Sequence, residues 1–211
     1  MNILAINTAF NQSYVGLNYN KKQYLKNVDS ALKQSENILL IISNVLNEAN
    51  AKVNDLDAVA CVIGPGSFTG IRIGVGLCKG FCVACNNIKK IEVNSLDLLA
   101  YTHSKVAKDN FYVVLNALGG NLFVCKYDKN GKQLTQPYLL NEETKFDYEV
   151  VGLTDENLGF CNHFEEFSSN DLLEYSLLLC NQNCFSNTLT PVYLRKSQAE
   201  AELDKKSNNQ T

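Results

Sequence analysis

Val62-Ile63-Gly64-Pro65-Gly66-Ser67-Phe68-Thr69-Gly70-Ile71-Arg72-Ile73-Gly74 is the stretch on which the reading of this chain turns. The run from Leu56 to Ile63 reads as a central strand covered on both faces. Gly64-Pro65-Gly66-Ser67 breaks it and opens a helix to about Cys85. A glycine-rich turn between a buried strand and a helix N-terminus is a ready anion site, because the first-turn amides lack intrahelical partners. Neither familiar nucleotide device fits, however. No G-x-x-x-x-G-K-[ST] spacing exists, and the G-x-G-x-x-G pattern fails at Thr69 after Gly64-x-Gly66 and at Lys79 after Gly74-x-Gly76.

Working outward, residues 2–7, 13–19 and 23–28 read as three strands in a meander, with turns at Asn11-Gln12 and Asn20-Lys21-Lys22. Asp29-Ser30 can cap a long helix to about Asn50. Beyond the glycine-rich stretch, a short strand (89–93) leads to Asn94-Ser95, which caps a third helix over 95–105. The order is βββαβαβα. It restarts with strands at 111–115 and 122–127 around a turn at Gly119-Gly120-Asn121, then a Gly131 turn, more short strands and a helix near 171–184. This predicts an α/β chain with a duplicated domain: residues 1–107, a shortened second copy at 108–196, and a polar tail at 197–211.

The 211 residues make one large domain or two small ones, enough to bury a core without disulfide or metal staples. Charge is nearly balanced, 22 acidic residues against 19 basic, which argues against a protein that grips nucleic acid alone. With neither an apolar run of about 20 residues nor a charged signal-peptide head, the expected setting is soluble and cytoplasmic, with no membrane contact. The bases are 17 Lys and two Arg, Arg72 and Arg195. That skew points to an AT-rich genome, so each surviving arginine is more informative than any lysine.

Eight cysteines without a secretory signal do not suggest a disulfide framework. Cys78, Cys82 and Cys85 fall on one helix face, where core packing is favoured over zinc or redox chemistry. His103 and His163 share no H-E-x-x-H or H-x-x-x-H spacing, so no zinc site can be built from one helix. His103, near a helix end, reads as a surface or C-terminal charge partner. With no G-x-S-x-G elbow either, no catalytic residue and no metal ligand is assigned.

Two helices carry more apolar surface than one sheet should cover. Ile38, Leu39, Ile41, Ile42, Val45, Leu46 and Ala49 span an arc of roughly 160°, against the ~100° that suffices for a helix on a sheet. The second helix has only Arg72 and Lys79 as charges and is expected to be buried nearly all round. Its Gly70-x-x-x-Gly74 and Gly76-x-x-x-Gly80 pairs cost about 1 kcal/mol per glycine against alanine, and close approach of a neighbouring helix would explain them. The pattern predicts a partner interface on these helices. An apolar face of that size is expected to pair as a homodimer when the partner is absent.

The glycine-rich stretch, with Cys78-Lys-Gly-Phe81 and Val93-Asn-Ser-Leu-Asp-Leu-Leu-Ala-Tyr101, resembles the TsaB (YeaZ) family. Ile3-Leu-Ala-Ile-Asn-Thr8 and Thr190-Pro-Val-Tyr-Leu-Arg-Lys196 resemble the same family at its two ends. The resemblance implies the actin, Hsp70 and sugar-kinase fold, two βββαβαβα domains with the second degenerate. It implies no catalysis by this chain alone. The family serves as a non-catalytic subunit of the complex with a TsaD-like transferase and a TsaE-like ATPase. That complex moves threonylcarbamoyl from its adenylate to the adenosine beside the anticodon of tRNA.

By that resemblance the interface falls on Ser35, Glu36, Leu39, Ile42 and Leu46 of the first helix. On the second it falls on Phe68, Gly70, Arg72, Ile73, Gly74, Leu77 and Gly80, with Gly64, Pro65, Gly66, Ser67 and Thr69 forming the turn. No cofactor is required by the chain itself, ATP or ADP being compatible with the joint interface, and tRNA is met only through the transferase. Three positions depart from the family: Asn7 for Asp, Gln34 for His and Asn116 for Asp. These changes count against one competing reading, an ATP-using kinase-like enzyme, and the missing H-x-x-x-H motif against the other, a metallopeptidase of the glycoprotease superfamily.

Overall fold

The computed structural model describes residues 1–28, 34–116, 122–141, 143–153 and 158–192, with residues 34–36 described by their backbone only. The Asp29-Ser30 cap, the 119–121 turn, Arg195 and the polar tail lie outside the described residues. β1 (Ile3–Asn7) is buried throughout and pairs antiparallel with β2 (Ser13–Tyr19), which pairs antiparallel with β3 (Lys22–Val28). The β2–β3 turn places Asn20 and Lys21 at φ of 50° and 66°, the backbone a two-residue hairpin demands.

α1 (Gln34–Glu48) crosses to β4 (Ala58–Gly64), and α2 (Phe68–Ala84) crosses to β5 (Lys89–Asn94). Both strands run parallel to β1, giving the sheet order β3-β2-β1-β4-β5. α3 (Ser95–Ser104), capped by Asn94, follows.

The second half repeats this arrangement. β6 (Phe111–Asn116), β7 (Leu122–Tyr127), β8 (Tyr138–Leu139), β9 (Glu149–Leu153) and β10 (His163–Glu165) form a sheet of order β10-β9-β6-β7-β8. β6 stands for β1, with β7 antiparallel and β9 parallel beside it. Where the first copy inserts α1 and α2, the second has no helix among the described residues. α4 (Ser169–Asn181) then takes the place of α3, its first turn closed by a Ser168–Asp171 capping box. The duplication with a shortened second copy is therefore as the sequence predicts.

α1 packs on β2 and β3 and α2 on β4, while α3 and α4 pack together over the same sheet. α4, although part of the second copy, lies on β1 and β2. Gly16 of β2 permits that approach: a Cβ there would stand 2.9 Å from Leu173 Cβ and 3.0 Å from the Ser169 carbonyl.

The halves also join through Tyr127, whose buried hydroxyl donates to Asp97 Oδ1 at 2.7 Å. Burial pushes the Asp97 carboxyl above its ordinary pKa, opposed by the Tyr127 bond. A carboxyl with a raised folded-state pKa is destabilising while ionised, and that cost disappears as pH falls through the raised value. Asp97→Asn keeps the acceptor and removes the charge. It should therefore raise Tm at pH 7, with the gain shrinking toward pH 4 in thermal melts across pH.

α2 departs from the expectation of burial all round. Ile71, Val75 and Cys78 face the core, whereas Thr69, Arg72, Gly76, Lys79, Gly80 and Val83 are exposed. All eight cysteines are free thiols. Cys78 is fully buried beside Cys61, which raises its pKa, as suits a core residue, while Cys82 and Cys85 are half-buried. No described helix is long and apolar enough to cross a membrane.

Candidate functional site

The glycine-rich turn is built against the exit of β1. Gly64 sits at φ +111°, the Gly64–Pro65 peptide is cis, and the Ser67 amide donates to the Ala9 carbonyl at 2.7 Å. Ser67 Oγ caps α2 by accepting from the Gly70 amide. A Cβ at Gly66 would lie 2.6 Å from the Ala9 carbonyl oxygen, and one at Gly70 only 1.8 Å from that of Thr8. The Thr8 hydroxyl donates to the Gly70 carbonyl at 2.6 Å and would stand 2.6 Å from a Cβ at Gly74. The turn thus spends part of its polar capacity on β1 instead of offering it to an anion.

This corrects the placement of two interface residues. Gly70 and Gly74 are buried because the end of β1 crosses them, and no neighbouring helix is needed to explain either. Gly76 and Gly80 are different: among the described residues, no atom beyond their own helix lies within 4 Å of an added Cβ at either position. Ile73 and Leu77 lie half-buried beside them, Val83 is 80% exposed, and Arg72 is stacked on the Phe68 ring at 4.0 Å. The Thr69 side chain is exposed.

α1 also needs correction. Ile42 and Leu46 belong to the core with Ile38, Val45 and Ala49, α1 packing on β2 and β3 and touching α2 at its side. Leu39 and Leu40 are the exposed apolar residues on this helix, 52% and 60%. Ser35 and Glu36 fall in its first turn, their side chains outside the description. The outward surface of the helix pair is therefore Leu39, Leu40, Ile73, Gly76, Leu77, Gly80 and Val83.

A cleft of about 250 Å³ between the halves is lined by Phe10, Asn11, Gln12, Tyr14, Leu153, Glu165, Glu166 and Phe167. Two of its lining residues, Glu165 and Glu166, are acidic, and Glu165 also faces His103 and His163. Asn7 is buried above it in the chain, its Oδ1 accepting from the Ala9 amide at 2.9 Å and holding the turn after β1.

Sequence reasoning missed one cluster. His103, expected at the surface, is 1% exposed, because the second sheet covers the end of α3. Its Nδ1 lies 2.9 Å from Glu165 Oε1 and its Nε2 3.2 Å from Glu149 Oε2. His163, the other histidine of the chain, is 4.8 Å away ring to ring and contacts the same two glutamates. No local spacing signals this, since the four residues meet only through the pairing of β9 with β10 and the packing of α3.

Comparison with known proteins then fits the geometry. A family model described as TsaD, tRNA N6-adenosine threonylcarbamoyltransferase, matches residues 29–144. The tRNA threonylcarbamoyladenosine biosynthesis protein TsaB of Buchnera aphidicola subsp. Schizaphis graminum is 31% identical over 133 residues, 63% of each chain. The protein of the same name from Escherichia coli K12 is 29% identical over 135 residues, 62% of this chain and 58% of its own length. The matches thus span less than two thirds of these relatives. The solved structure of YeaZ from Pseudomonas aeruginosa superposes with a TM-score of 0.76 at 20% identity, over 91% of this chain and all of that one, and so shares its two-copy fold. The chain belongs to the TsaD family, and it is similar over part of its length to the TsaB proteins.

Proposed function

We propose that this chain is the accessory, non-catalytic subunit of a tRNA threonylcarbamoyladenosine-forming complex. It docks a TsaD-like transferase through the outward face of α1 and α2 and works with a TsaE-like ATPase. One observation carries the reading. Gly76 and Gly80 each weaken a helix by about 1 kcal/mol relative to alanine, yet nothing among the described residues approaches either of them. Gly70 and Gly74 have an internal reason, so the outer pair calls for an external one. A helix of another subunit crossing closely over Gly76 and Gly80, with Leu39, Leu40 and Val83 burying apolar area beside it, supplies that reason. Without the transferase, the same face pairs two copies of the chain.

The test is reconstitution of threonylcarbamoyl transfer to tRNA with the same organism's transferase and ATPase, with and without this chain. Transfer should require the chain, which should co-elute with the transferase. Transfer indifferent to it, with no complex formed, would overturn the proposal.

A further inference from the structure

Beyond that interface, we infer that His103, His163 and Glu165 bind a divalent cation of the zinc class, with Glu149 holding both imidazoles from behind. The four residues come from three elements. His103 lies in the last turn of α3, Glu149 begins β9, and His163 and Glu165, two apart on β10, share one strand face. Donor atoms of His103, His163 and Glu165 lie within 4.8 Å of one another. Glu165 Oε1 stands between His103 Nδ1 at 2.9 Å and His163 Nε2 at 3.1 Å. Metal–ligand bonds of about 2.0–2.1 Å put tetrahedral donors about 3.4 Å apart, so small side-chain shifts would admit the ion.

The hydrogen-bond count points the same way. All four ring nitrogens face carboxylate oxygens, the remaining two contacts being His103 Nε2 to Glu149 Oε2 at 3.2 Å and His163 Nδ1 to Glu149 Oε1 at 3.7 Å. A neutral imidazole has one N–H, so two neutral rings would leave two lone pairs against carboxylates, a mismatch that either a further proton on each ring or a bound cation removes. One divalent ion resolves this. It accepts the lone pairs of His103 Nδ1 and His163 Nε2 and an oxygen of Glu165, leaving His103 Nε2–H to donate to Glu149 and His163 Nδ1–H facing the same carboxylate at 3.7 Å. A ring that arrives doubly protonated gives the proton on its metal-facing nitrogen to water. The ion's two positive charges then balance the two carboxylates.

A carboxylate behind metal-bound histidines is the usual outer-shell arrangement, and two imidazoles with one carboxylate suit zinc. Phe111, edge-on to His103 at 4.7 Å, fixes that ring from the apolar side. On the other side, an open cleft of about 570 Å³ lined by His103, His163, Glu149, Tyr148 and Lys108 admits the ion and a water as fourth ligand. The ion would clamp the three-residue edge strand β10 to α3.

The test uses the full chain, stripped with chelator and titrated with Zn²⁺ and Co²⁺. Wild type should retain a single equivalent through desalting and gain Tm. Cobalt should give the visible bands of a four-coordinate site without the near-ultraviolet band of thiolate ligation. His163→Ala, at a half-exposed position and checked for folding by circular dichroism, should lose the retained equivalent, as should Glu165→Ala. Glu149→Gln should keep the stoichiometry but bind about 10–100-fold more weakly. No retained metal in folded wild type, retention unchanged in His163→Ala, or a thiolate signature from the cysteines would each overturn the site.

Discussion

Gly70→Ala should remove most of the stability of the chain, although glycine to alanine inside a helix is ordinarily a gain. The added carbon would sit 1.8 Å from the Thr8 carbonyl oxygen, a contact between two backbones that no rotamer change relieves. Either α2 leaves the sheet or β1 ends early, and both lose the bonds between Thr8–Ala9 and Ser67–Gly70. Overpacking costs roughly 1–3 kcal/mol where side chains can adjust, and here it should exceed about 3 kcal/mol. That is a large share of the 5–15 kcal/mol typical of a folded domain, by order of magnitude.

Gly74→Ala should do less harm, because it meets a hydroxyl and the Cys61 sulfur instead of a carbonyl. Gly76→Ala and Gly80→Ala, open to solvent in the single chain, should raise stability by up to about 1 kcal/mol each. Urea denaturation of the four variants tests the opposite signs. A Gly70→Ala chain as stable as its parent would refute the docking of the turn on β1.

Gly80→Trp should leave the isolated chain as stable as its parent while weakening its complex with the transferase more than about a hundredfold, a loss of about 2.8 kcal/mol or more. Helix axes ordinarily pack about 8–10 Å apart, and glycines allow the closer approach that an indole would block. The same variant should elute as a monomer where the parent self-associates. Leu40→Asp, charging the other helix of the pair, should act in the same direction. Affinity unchanged in both variants, measured by calorimetry with the transferase, would remove the interface from this face.

The strand and helix order was legible because the signals are local. Meander turns sit at asparagines, a cap at Asn94, and breaks at Gly64 and Pro65, whereas the Ser168 cap of α4 went unread and that helix was placed two residues late. The glycine pairs were legible as unusual but not in their reasons. Periodicity shows which helix face a residue occupies, whereas the visitor to that face depends on where β1 ends. Ile42 and Leu46 were placed on the interface because the apolar arc of α1 looked too wide for a sheet, yet both pack into the core. The His103–His163 cluster was invisible for the same reason. Its residues come from α3, β9 and β10, with His103 and His163 60 positions apart, and no motif spacing along the chain joins them.

α4 sets a limit on how far this molecule can simplify. Among the described residues, the second copy has no helix where the first has α1 and α2. Yet the first copy exposes Gly16 to Leu173 and leaves the underside of β1 and β2 for α4 to roof. Further deletions can shorten the loops of the second copy at little cost. They cannot reach α4 without opening the first sheet to water, so the fragment that remains is no relic but the missing wall of its neighbour.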